Sequence, residues 1–153
     1  MNRPGNQLFD RYFTQEGMRE VFSDRGRVQG MLDFEAALAR AESSIGAIPA
    51  EVVNDIVAAC DASLYDFDAL AVAIGNAGNS AIPLVKALGK QIATRNEKAE
   101  RYVHMGATSQ DAMDSGLVVQ LRSAIRLLER DLTTLGDALA QQAQRHAGVP
   151  MPG

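Results

Sequence analysis

The sequence predicts an all-α protein, and three observations carry that expectation. Aromatic residues make up only 5% of the 153 residues and Trp is absent, while Ala and Leu abound within a hydrophobic fraction of 46%. Such a composition suits helix packed on helix better than a β-sandwich. Apolar residues recur at three- and four-residue spacing along most of the chain. Finally, the stretch from about Ala112 to Ala147 reads as one helix of ~54 Å at ~1.5 Å per residue. A compact globule of this chain length is only roughly 40 Å across.

The elements follow in order. Met1 to Asp10 is polar, is broken by Pro4 and Gly5, and contains no apolar run resembling a signal peptide. From about Ser23 to Ile45, the residues Val28, Met31, Leu32, Phe34, Leu38, Ala39, Ala41 and Ile45 mark a strong helix. Gly46 suits its C-terminal cap and Pro49 the first turn of the next helix, from about Ala50 to Ala62. Asp66 and Asp68 are candidate N-caps for a third helix ending near Gly75, where Gly75-Asn76-Ala77-Gly78-Asn79-Ser80 reads as a loop by composition. Pro83 suits the first turn of a fourth, with Ile82, Val85, Leu88 and Ile92 on its apolar face.

Polar residues from Thr94 to Arg101 lead into the octet His104-Met105-Gly106-Ala107-Thr108-Ser109-Gln110-Asp111. Beyond it, Leu117, Leu121, Ala124, Leu128, Leu135, Ala138 and Gln142 form a nearly heptad stripe interrupted by Asp131. Leu127, Leu132 and Leu139 widen it. Residues 1–111 do not supply all the partners such a face needs, so the sequence divides into a small helical N-terminal domain, 1–111, and the first long helix of a central bundle domain, 112–153. The alternative is a solitary amphipathic helix folded back on the domain. The tail Gly148-Val149-Pro150-Met151-Pro152-Gly153 ends the helix and then looks like an interrupted chain.

A net charge of -4 and an isoelectric point near 5.1 argue against a general nucleic-acid binder, because no basic stripe is available to neutralise phosphates. No segment approaches the ~18 uninterrupted apolar residues of a membrane span. The single cysteine, Cys60, lies within the apolar pattern of Val52, Val53, Ile56, Val57 and Ala59, as a small core residue in a reducing compartment would. The chain reads as soluble and cytoplasmic.

The octet is the strongest chemical signal. Thr108 or Ser109 can cap the long helix, and Thr108 with Asp111 resembles a capping box in which Asp replaces Glu or Gln. A cap alone explains only those residues. His104 and Gln110 add donors at a helix N-terminus whose dipole favours anions, so a carboxylate-bearing ligand suits the segment. His104 can equally be a satisfied buried polar group. The other histidine, His146, lies in a polar helical segment and reads as a solvated surface residue.

Taken together, these residues resemble the fumarase/aspartase superfamily, over essentially the whole chain. Arg11-Tyr12, the run Met31-Leu32-Asp33-Phe34-Glu35-Ala36-Ala37-Leu38-Ala39 and Gly46-Ala47-Ile48-Pro49 look like its N-terminal domain. Gly78-Asn79-Ser80-Ala81-Ile82-Pro83-Leu84-Val85 is similar to the first active-site loop of its 3-carboxy-cis,cis-muconate cycloisomerase branch, and the octet is similar to its Thr-Ser region. The adenylosuccinate lyase branch is the nearest alternative, but it typically has a His-Asp pair where this chain has Asn79-Ser80.

The resemblance implies a homotetramer with active sites shared between subunits, chains longer than this one, and no metal or organic cofactor. The implied reaction closes a lactone: one carboxylate of a tricarboxylic diene adds across a double bond, and a proton is delivered to the neighbouring carbon. On that reading the substrate is a small polycarboxylate, and this chain is the N-terminal portion of the enzyme and is inactive alone. Its catalytic residues are His104 and Ser109. Thr108, Gln110, Asn79 and Ser80 bind substrate carboxylates, while Asp111 orients its neighbours or caps the helix. Arg11 and Tyr12 match positions that contact phosphate in nucleotide-using relatives, and here meet a carboxylate or form a structural salt bridge. A reading from a different class is a non-catalytic helical oligomerisation module.

Overall fold

The computed structural model describes residues 12–150. Seven α-helices lie wholly within them: α1 (Glu16–Val21), α2 (Asp24–Ser44), α3 (Ala50–Ala59), α4 (Phe67–Ala77), α5 (Ala81–Ala93), α6 (Glu97–Glu100) and α7 (Ser109–His146). A 3-10 turn, Ala62–Leu64, joins α3 to α4, and no described residue is in a strand. The all-α expectation therefore stands. No helix among the described residues is long and apolar enough to cross a membrane.

Local chemistry sets the helix ends. Ser23 Oγ accepts from Gly26 N at 3.0 Å and donates to Glu20 O at 2.7 Å, so one hydroxyl turns the chain from α1 into α2. Asp66 caps α4 by accepting from Asp68 N and Ala69 N. The segment Gly75 to Ser80, expected to be a loop, is one only in part. Leu70 is buried and Ile74 packs against the core, which carries α4 on to Ala77. Gly78, at φ 62°, then ends it by donating its N–H to Ile74 O. Asn79 Oδ1 immediately accepts from Ala81 N and Ile82 N, starting α5 with Pro83 in its first turn. The second helix is shorter than expected, closing at Ala59 before the 3-10 turn capped by Asp61.

The centre of the core is made by Leu32 of α2, Ile56 of α3, and Leu84, Leu88 and Ile92 of α5, all fully buried. Gln29 ties α2 to the turn after α3: its Nε2 donates to Cys60 O at 3.0 Å and its Oε1 accepts from Ala62 N at 2.9 Å. Cys60 is buried there. Burial pushes its thiol up to about 12, so it is a packing residue with little thiolate character.

The long helix starts at Ser109, and its 38 residues span ~57 Å. The face that packs on the domain differs from the stripe expected from the leucines. Ala112, Gly116, Gln120 and Ala124, four residues apart, are the buried ones. Small residues there let α2 and α7 meet backbone to backbone: a Cβ on Gly30 would lie 2.7 Å from Gly116 O, and one on Gly116 would lie 2.9 Å from Met31 N. Gln120 Nε2 donates to Val21 O at 2.6 Å, which fastens α1 to the same face. Leu117, Leu121, Leu128, Leu132, Leu135 and Leu139 remain exposed. These leucines are not folded back onto the domain; only Leu127, half-buried, lies against α1, 3.5 Å from where a Cβ on Gly17 would sit.

Candidate functional site

The octet folds as a corner followed by a capped helix. His104 has φ 56° and Gly106 φ 72°. The left-handed conformation is ordinary for glycine but costs a residue with a Cβ on the order of 1 kcal/mol. The strained corner brings His104 against α2, where its Nδ1 lies 2.6 Å from Glu35 Oε1. Glu35 is only 2% exposed and His104 16%. Burial pushes Glu35 above the ordinary 4.5; the His104 hydrogen bond and charge oppose that rise, and the charge of Glu42 adds to it.

After the corner, Thr108 caps α7. Thr108 N and Oγ1 both donate to Asp111 Oδ2, at 2.8 and 2.9 Å, and Asp111 N donates back to Thr108 Oγ1 at 3.4 Å. The expected capping box is thus formed, with Asp in the Glu position. Its hydrogen bonds from Thr108 hold the Asp111 carboxyl below the usual carboxylate value. Both polar groups are engaged with each other. Ser109, half-buried in the first turn, makes no side-chain hydrogen bond among the described residues. Gln110 Nε2 donates to Asp114 Oδ1 at 2.7 Å.

A groove of about 320 Å³ runs between α2, Ser80 and the start of α7. Ser80 and Gln110 line it together with Arg27, Met31, Met113 and Asp114. A neighbouring groove of about 350 Å³, between α2 and α4, shares Arg27, Met31 and Ser80. Two segments thirty residues apart in sequence, the Asn79-Ser80 loop and the octet, thus reach the same region. Asn79 uses Oδ1 to cap α5, which leaves its amide nitrogen as the available donor. Tyr12 is 81% exposed with its ring edge-on to Phe13 and lines neither groove. Arg11 lies outside the described residues.

Two residues of this region escaped the sequence reading. Glu35 carried a signal: it is an acid at helical spacing among Met31, Leu32, Ala36 and Ala39, all buried. Arg27 lies one turn before Met31 and carried none. Whereas His104, Thr108, Ser109 and Asn79 do not line the groove, Arg27, Ser80 and Gln110 bring a guanidinium, a hydroxyl and a carboxamide together there. Those groups suit carboxylates.

A family model described as Lyase matches residues 11–153. The chain belongs to this lyase family, within the fumarase/aspartase superfamily. It is 67% identical over 150 residues to a 3-carboxy-cis,cis-muconate cycloisomerase of Pseudomonas aeruginosa, covering 98% of this chain and 33% of that one. The fold superimposes on the crystal structure of a 3-carboxy-cis,cis-muconate lactonizing enzyme from Pseudomonas putida with a TM-score of 0.93 and 68% identity, over 97% of this chain and 34% of that one. A cycloisomerase of the same kind from Acinetobacter calcoaceticus gives 0.87 and 40%, over 91% and 33%. This lyase chain spans about a third of the length of these relatives.

Proposed function

We propose that this chain forms the N-terminal portion of a cycloisomerase that lactonises 3-carboxy-cis,cis-muconate to 4-carboxymuconolactone. The observation that carries the reading is the 67% identity to such an enzyme across 98% of the chain. The site's chemistry agrees with it. A tricarboxylate brings several negative charges, and one carboxylate gains more charge as the ring closes, so the protein must offer convergent donors that grow in value at that stage.

Each side chain has a place in this reading. Arg27, Ser80 and Gln110 line one groove and bind substrate carboxylates, helped by Asn79 and the N-terminus of α7. Thr108 and Asp111 keep that N-terminus formed. Ser109 Oγ and His104 Nε2 act on the reacting end, since neither is engaged by another side chain. The remaining walls come from further sequence and other subunits: the exposed leucines of α7 provide a face for helices of neighbouring copies in a cytoplasmic homotetramer.

Lactone formation by the full-length protein is the test. We expect turnover of 3-carboxy-cis,cis-muconate, and a drop of more than tenfold in kcat/KM for His104→Ala or Ser109→Ala, which is ~1.4 kcal/mol or more of barrier. Cleavage of adenylosuccinate with no lactonisation would place the enzyme in the other branch.

A further inference from the structure

The Glu35–His104 contact concentrates two unfavourable features at one point. Glu35 is a carboxylate at 2% exposure, and burying such a group without full pairing is destabilising by several kcal/mol. Its Oε1 meets His104 Nδ1, but its Oε2 is buried with no partner. His104 in turn adopts a left-handed backbone at φ 56° to make the contact. A purely structural core position would be better served by an apolar side chain. Neither feature relieves the other, and both converge on the orientation of a single imidazole ring.

The surroundings reinforce the point. Glu42, two turns further along α2, also has a buried Oε2 with no partner, and its charge acts on both Glu35 and His104. The charge of Glu35 also acts on the buried Cys60 thiol just after α3, which itself donates to Ile56 O at 3.2 Å. No described cation competes with His104 for the Glu35 carboxylate. With Nδ1 held, Nε2 is the ring's one remaining nitrogen, on a side chain still 16% exposed beside the start of α7.

We propose that Glu35 is a positioning residue of the site: it holds His104 through Nδ1 and so sets the tautomer and the direction in which Nε2 meets an anionic substrate. A hydrogen bond at one imidazole nitrogen decides what the other can do, and strained backbone at a ligand-facing residue marks an orientation that the surrounding structure enforces. The inference rests on the lactonising reading of His104 but concerns a residue 69 positions away in sequence.

A double-mutant cycle in the full-length enzyme tests it, with kcat and KM for lactonisation measured for Glu35→Gln, His104→Ala and the pair. Because Glu35 acts only through His104, Glu35→Gln should lower kcat by about tenfold or more while KM changes by less than about threefold. The double variant should be no slower than His104→Ala alone. Glu35→Asp, which keeps the charge and shortens the reach, should fall between wild type and Glu35→Gln, and it serves where the Gln variant does not fold. Losses that multiply in the double variant, or wild-type kcat in Glu35→Gln or Glu35→Asp, would overturn the proposal while leaving the site reading intact. Wild-type kinetics in His104→Ala would instead overturn the site reading itself.

Discussion

The two halves of α7 share one helix and one hydrophobic period, yet they are built on different rules. Up to Ala124 the helix rests on the domain through Ala112, Gly116, Gln120 and Ala124, residues suited by small size or by one hydrogen bond. Beyond it, Leu128, Leu132, Leu135 and Leu139 are all more than half exposed. Contact within the chain is made mainly by a small-residue face that lets backbones touch, with Leu127 beside Gly17 of α1, whereas most of the larger apolar face is exposed. Leucine content thus says where a helix is sticky. Small residues four apart say where it is already docked.

Glycine substitutions give the sharpest way to break this contrast. Gly116→Ala should cost about 1–3 kcal/mol in urea denaturation, because its Cβ would meet the α2 backbone 2.9 Å away. An unchanged midpoint would mean that α2 and α7 are not in backbone contact. Gln120→Leu comes next, at about 1–2 kcal/mol, since it removes the donor to Val21 O. Thr108→Ala should cost about 1 kcal/mol by removing the cap.

The same cap gives a pH signature. Asp111 is held below its ordinary 3.8 by Thr108, so its contribution is fully present above that value and is lost as the pH falls through the lower, folded-state one. Circular dichroism of the chain should show helix fraying in that acid range, and Thr108→Ala should blunt the response. The smallest effect belongs to the exposed half, with the opposite sign. A Cβ added at Gly136 would meet nothing within 4 Å, so Gly136→Ala should stabilise α7 by up to about 1 kcal/mol through helix propensity alone. A loss there would mean that the distal half packs more tightly than it does in this chain.

Much of the fold was legible because its signals are local. Ser23, Asp66, Pro83 and the Thr108–Asp111 pair act within three or four residues, so helix ends could be read directly from the sequence. Gly75 and Asn76 misled for the complementary reason: loop composition was overridden by the packing of Leu70 and Ile74, a tertiary effect. Within the site, the octet and the Asn79-Ser80 loop stood out, but their shared groove did not. Arg27 joins them only because α2 passes between both segments. Glu35 is the clearest case, since its meaning depends on a contact across 69 positions.

The Gly30–Gly116 crossing also has a mechanical consequence. With no side chain between the backbones, the crossing sets the direction in which α7 leaves the domain; the helix stays docked through Ala124, and the arm beyond it, Ala124 to His146, extends ~33 Å. Each degree of tilt sweeps the far end of the helix through ~0.6 Å on that arm. Two glycines near one end of the helix thus help to set where the exposed leucines at the other are aimed.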